Sequence, residues 1–145
     1  PPPPPHPPPH PGPRPPAPRG GRAHPPPPAA PRRVPAAPST DMQVLNGPDD
    51  GAPNFAMRRF TMGTGGGMPR HTNEVEHEQF VLQGRARIGI GERVVEVEAG
   101  DVVYIPARQA HFYEVLEAPF EFLCVVPNED DEIRLVDGGE QDTAE

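Results

Sequence analysis

The sequence contains no lysine: all 13 of its lysine-or-arginine positions are arginine. That excludes Schiff-base chemistry by a lysine amine and a phosphate-cradling P-loop, whose Gly-x-x-x-x-Gly-Lys pattern is also missing. Cys124 is the one cysteine, so no disulfide can form within the chain. In the run FEFLCVV it reads as a small buried hydrophobe, with a pocket-lining thiol as the alternative. No apolar run approaches the length that spans a bilayer, and the first residues have no hydrophobic core of the kind a secretory signal needs. The expectation is a soluble, cytoplasmic protein with no membrane partner.

Charge and proline are unevenly spread. Twenty of the 26 prolines fall in the first 40 residues, and all 21 acidic residues lie from Asp41 onward with eight of the arginines. A segment lacking half its amide donors, with almost nothing apolar to bury, cannot offset its ordering entropy. Residues 1–41 are therefore expected to be disordered, with polyproline II character. Their PxxP patterns suit aromatic-grooved adaptor domains. A solvated tail is a second reading. A third is that the segment does not belong to the natural protein, because Pro, Ala, Arg, Gly and His are what GC-rich upstream DNA encodes when a start is placed too early. His6, His10 and His24 lie in this head and receive no metal role. The folded unit is expected over 42–137, starting near Met42, and the acidic end 138–145 is expected to be disordered. An acidic domain has no basic face with which to neutralise phosphates, which sets DNA and RNA aside as partners.

From Asn54 to Val126 the pattern is of short strands: FAMRRFT, HEQFVLQ ending at Gly84, RARIGI, RVVEVE, VVYIP, HFYEVL and FEFLCVV. Gly91-Glu92 reads as a hairpin turn, and Glu117-Ala118-Pro119 as a break between the last two strands. β-branched and aromatic residues abound and no helical stripe of useful length is present, which argues for an all-β sandwich or barrel.

One stretch of this region carries chemistry. Gly65 to Gly84 reads GGGMPRHTNEVEHEQFVLQG and places His71, Asn73 and His77 within seven residues. In an extended segment, residues two apart share a face, so His71 and Asn73 can reach one point together. His111, entering the strand HFYEVL, is the partner that the cluster lacks. Imidazoles serve zinc, copper, iron and nickel, whereas an amide oxygen is a harder donor suited to manganese or iron. By the same face rule, Gln79 follows His77 and Tyr113 accompanies His111. Gln79 is placed to hydrogen-bond a bound ligand, while core packing is the plainer reading of Tyr113. Glu74, Glu76 and Glu78 read as a solvated rim rather than a general base; pairing of His77 with these flanking acids, behind a metal ligand, is the alternative.

These residues resemble two motifs of the cupins, small jelly-roll barrels (double-stranded β-helices) with a metal inside. The first motif is glycine, five residues, His-x-His, three or four residues, Glu, six residues, glycine. Here it reads Gly65, five residues, His71-x-Asn73, three residues, His77, six residues, Gly84. The second is glycine, five residues, Pro-x-Gly, two residues, His, three residues, Asn; here it reads Gly100, Pro106, Arg108, His111, Val115. His77 in place of glutamate is similar to single-domain cupins that hold manganese or a similar ion on four histidines, with Asn73 in place of the second. Arg108 and Val115 replace the usual glycine and asparagine.

The resemblance implies a cupin barrel with a divalent transition metal (Mn, Fe, Zn, Ni or Cu) on His71, His77 and His111, and Asn73 as a weaker fourth ligand. It names no catalytic residue. Three readings of function follow. One is a metal-dependent enzyme, dioxygenase-like or isomerase-like, acting on a small, aromatic or enolisable molecule. The second is a non-catalytic small-molecule or metal-binding module, and the third a dimeric scaffold with an interaction tail. A homodimer is expected because an open jelly roll has edges to protect, with strand 55–61 and the apolar patch Ile133 to Val136 as candidate interfaces.

Overall fold

A computed structural model describes residues 1–5, 21–26 and 31–136. The expected disorder of the proline-rich head therefore falls in part, at residues 6–20 and 27–30, and that of the acidic tail wholly, outside the described residues. The described residues form an all-β, curled sheet of jelly-roll type, with one short 3-10 turn at Pro48–Asp50. Its strands are β1 (Arg32–Arg33), β2 (Thr40–Asn46), β3 (Phe55–Met62), β4 (Gly67–Thr72), β5 (His77–Ile90), β6 (Arg93–Glu98), β7 (Val102–Ile105), β8 (His111–Pro127) and β9 (Arg134–Leu135). No helix among them is long and apolar enough to cross a membrane.

The two long strands β5 and β8 are the spine. They pair antiparallel from Glu78 opposite Val125 to Ile90 opposite His111. On its other edge β5 holds β7 at one end and β6 at the other, while β8 holds β3 and then β4. The sequence reads each spine strand as two, because Gly84 and Pro119 are ordinarily strand breakers. In the structure they are bends in continuous strands. Gly84 has φ +81°, and a Cβ there would stand 2.3 Å from the carbonyl oxygen of Pro119 and 2.6 Å from that of Glu117. The absence of a side chain is what lets the two bends lie against each other.

Each bend also exchanges the faces of its strand. On β5 the buried positions are His77, Gln79 and Val81 before the bend, then Ala86 and Ile88. On β8 they are His111 and Tyr113, then Phe120, Phe122, Cys124 and Val126, with Glu121 buried on the other face. Irregular pairing between Val81 and Ala86 absorbs the change of register. The core inside the curl gathers Met62, Val81, Ile88, Ile105, Phe120 and Phe122, all almost fully buried. Phe60 stacks on Phe122 with ring centroids 5.0 Å apart, and Phe122 on Tyr113 at 5.4 Å.

Pairing begins ahead of the expected start at Met42. Arg32 and Arg33 of β1 face Met42 and Asp41 of β2, and Ala37 and Thr40 are buried. β2 in turn pairs with β3, whose other edge is taken by β8. Strand 55–61, expected to offer an edge to a second copy, is thus interior to the sheet, because residues 32–46 supply the strands beyond it. What it leaves exposed is a face, with Phe55 and Met57 upon it.

Candidate metal and ligand site

The bend in the spine opens the curled sheet into a cavity of about 390 Å³. His71 reaches it from β4, His77 and Gln79 from β5, His111 and Tyr113 from the start of β8, and Cys124 from its end, with Asn73 just after β4. All seven residues singled out from the sequence line this one space. Its walls are otherwise mostly apolar, including the Phe60 and Phe122 stack.

The turns that carry these residues are tightly fixed. The glycine run before β4 lets Gly67 adopt φ +147° against the backbone of Tyr113, where a Cβ would meet the carbonyl oxygen at 2.2 Å. Pairing then sets His71 directly opposite His111. The turn before β8 keeps a left-handed residue, Arg108 at φ +64°, where the motif ordinarily has glycine. A non-glycine residue there costs about 1 kcal/mol, and the Arg108 N–H donates to the Asn73 carbonyl at 2.7 Å.

The protonation of the imidazoles can be read from their partners. His71 Nδ1 lies 2.8 Å from the Pro69 carbonyl oxygen and His111 Nδ1 lies 2.9 Å from that of Gln109. A carbonyl only accepts, so Nδ1 carries the proton in both rings and Nε2 is the basic nitrogen. Their ring centroids are 4.2 Å apart, and His77 is 6.0 Å from His111. Burial lowers the pKa of His71. That of His77 falls to about 4, through burial and the nearby Arg58, and that of His111 to about 3, through burial and His71. All three are neutral imidazoles at neutral pH.

Within this cluster two buried polar atoms, His77 Nε2 and the carbonyl oxygen Asn73 Oδ1, have no hydrogen-bond partner among the described residues. The amide is not free to turn. Asn73 Nδ2 donates to Asp131 at 2.8 Å, and Asp131 also accepts from the Glu74 N–H at 2.7 Å. A carboxylate accepts, so the oxygen of Asn73 must face the other way. As they stand, no group of three or more His, Cys, Asp or Glu side chains among the described residues is arranged to hold a metal ion. The donor chemistry nevertheless fits one. Neutral imidazoles whose second nitrogen is tied to a backbone carbonyl are the usual form of a ligating histidine, and buried lone pairs without partners are costly unless something occupies them.

Around this set, Gln79 Nε2 donates to the Tyr113 hydroxyl at 2.6 Å and lies 3.8 Å from Cys124 Sγ. Burial raises the pKa of both Tyr113 and Cys124, which keeps the phenol and the thiol protonated. Cys124 accordingly behaves as a wall residue rather than a nucleophile. Glu76 and Glu78 point outward, consistent with a solvated rim.

The sequence reading missed two residues. Arg58 lines the cavity, and the alternation Ala56, Arg58, Phe60, Met62 would have placed it on the inner face of β3. Asp131 orients Asn73 from an acidic stretch in which nothing local marks one carboxylate over its neighbours.

The model of the family described as Cupin domain matches residues 58–126. The polyketide cyclase RemF from Streptomyces resistomycificus is 31% identical over 77% of this chain and 80% of its own, with a TM-score of 0.67. A cupin 2 domain-containing protein from Halorhodospira halophila is 30% identical over 69% and 72%, at 0.64. A cupin-2 domain protein from Rhodospirillum rubrum is 30% identical over 70% and 68%, at 0.61. A search of curated proteins gives no significant match. With histidines from both motifs lining one cavity between the bent spine strands, and with these similarities over most of its length, the chain belongs to the cupin superfamily.

Proposed function

We propose that this protein is a metal-dependent cupin enzyme that acts on a small, enolisable organic molecule held in the cavity. The observation that carries the reading is the pair of unpartnered buried polar atoms, His77 Nε2 and Asn73 Oδ1, beside two imidazoles whose basic Nε2 is fixed by backbone carbonyls. His71, His77 and His111 would hold a divalent transition metal. Asn73 would stand where the four-histidine manganese cupins have an imidazole, and its harder oxygen favours manganese or iron. The metal would supply Lewis acidity toward a carbonyl oxygen.

The chain's own groups do the rest. Tyr113, kept as a neutral phenol by burial and fixed by Gln79, is a hydrogen-bond donor to a substrate oxygen, not a base. The Phe60, Phe122 and Tyr113 rings offer a flat apolar surface to a conjugated substrate. The similarity to a polyketide cyclase favours an isomerising or cyclising reaction over an oxygenase-like one. A homodimer belongs to the same reading, supported by exposed Phe55, Met57, Ile133 and Leu135, and sedimentation at micromolar concentration tests it.

Elemental analysis of the purified protein beside His77→Ala tests the centre, and deuterium exchange at the carbon between the carbonyls of β-dicarbonyl probes tests the chemistry. Near-stoichiometric metal that is lost in the variant, with metal-dependent exchange, is expected. Metal absent after reconstitution would overturn the proposal. Metal bound without exchange, oxygen uptake or other turnover would leave the non-catalytic binding module.

A further inference from the structure

The chain is acidic, with 21 Asp and Glu against 13 Arg. Yet the charged residues lining the cavity are Arg32, Arg33 and Arg58, and no Asp or Glu among the described residues lines it. Arg33 is at the surface and meets Asp41 at 3.3 Å. Arg58 lies deeper. Its guanidinium carbon stands 5.2 Å from the centre of the Phe60 ring, and one terminal nitrogen lies 3.7 Å from Cys124 Sγ. Its Nε is buried with no partner, and no carboxylate pairs with it among the described residues. Arg58 is only partly buried and also lines a second pocket beside Glu129, Asp130 and Asp131, none of which makes an ion pair with it. On the cavity side its guanidinium meets an aromatic ring and a thiol with no counter-ion, an arrangement that an anion completes.

We propose that the cavity selects flat, conjugated carboxylates, with Arg58 receiving the carboxylate and the Phe60, Phe122 and Tyr113 rings receiving the body. This rests on the cavity being the substrate site and narrows the enolisable substrate to an acid. A planar guanidinium matches a planar carboxylate. Arg32, exposed at the mouth, adds the attraction that brings an anion toward a molecule whose surface otherwise repels it.

The test is calorimetric titration of the full chain, metal-loaded and EDTA-stripped, with 2-naphthoate, 2-naphthamide and 2-naphthyl phosphate. The expected result is a preference for naphthoate over naphthamide of roughly tenfold to a hundredfold in both forms, as for a hydrogen bond to a charged group. Arg58→Met should abolish that preference while leaving naphthamide binding in place, and Arg58→Lys should restore part of it. If Arg58→Met does not fold, Arg58→Gln beside Arg58→Lys makes the same comparison. An unchanged preference in the uncharged variant would overturn the proposal. So would a preference seen only with metal bound, which would put the carboxylate on the metal, or tighter binding of the phosphate. A chain that binds no metal yet keeps an Arg58-dependent preference would overturn the metal-dependent function and leave this inference standing.

Discussion

Arg58 and Arg59 are adjacent on β3 and face opposite sides of the sheet. Arg59 meets Glu121 at 2.7 Å on the outer side, where Thr61 and Gln83 complete the carboxylate's partners at 3.1 and 2.5 Å. Burial alone would raise the pKa of Glu121, but these hydrogen bonds outweigh it and hold the carboxyl below its usual range. Arg58, one residue earlier, faces apolar rings, a thiol and neutral imidazoles on its cavity side, and Glu129, Asp130 and Asp131 share a neighbouring pocket with it without an ion pair. Outside, charge is satisfied by the chain itself, as in the Arg85 pairs with Glu117 and Glu96 and the Arg87 pair with Glu114. Inside, donors and lone pairs are left over. The contrast separates what the fold needs from what the cavity holds in readiness for something else.

The contrast breaks most severely if the aromatic wall is removed. Phe122→Ala empties the stack that joins Phe60 to Tyr113 and should cost about 3–5 kcal/mol, read as a lower urea midpoint with an unchanged slope. The next effect is acid sensitivity of the metal-free protein. Unfolded histidine takes up a proton near pH 6.5, whereas His77 does so only near 4 and His111 near 3. The unfolded chain therefore binds more protons across that window, and stability falls as pH is lowered through it. The loss should be on the order of 3 kcal/mol per imidazole, measured by urea unfolding of EDTA-treated protein between pH 7.5 and 4. His77→Gln should flatten the slope.

Asp131→Ala sharpens the comparison, since Asp131 does not line the cavity and reaches it through its hydrogen bond to Asn73 and its charge near the three imidazoles. It should lower metal affinity by roughly 10- to 100-fold in a competitive chelator titration, with little change in fold by circular dichroism. The smallest effect belongs to the outer ladder. Arg87→Ala removes two exposed pairs, with Glu114 and Glu96, and should change stability by about 0.5 kcal/mol or less, and by less still in high salt. A larger loss would mean that the outer pairs hold the sheet as firmly as the core does.

Much of the site is legible in the sequence because it is local. His71, Asn73 and His77 sit within one turn and its flanking strands, and Gln79 and Tyr113 follow from alternation along a strand. What escapes is what depends on the path of the chain. Gly84 and Pro119 read as breaks because a strand considered alone ends at such residues. They become bends only because each meets the other across the ladder. Strand 55–61 reads as an edge because the proline-rich head looks incapable of pairing, although β1 and β2 lie in and beside it. Asp131 is one of several acids in an unstructured-looking stretch, and only the return of the chain toward β4 selects it.

The rim of the cavity is built differently from its floor. Arg32, Arg33 and Ile133 at the rim belong to or adjoin β1 and β9, strands of two residues each, whereas His111, Tyr113, Phe122 and Cys124 belong to the 17-residue β8. Short strands fray at little cost, while a long strand paired on both edges opens only with the whole fold. Amide exchange should therefore be fast at the rim and slowest along β8. Local fraying at the rim would let the mouth of the barrel loosen on a timescale of its own, without opening of the native state.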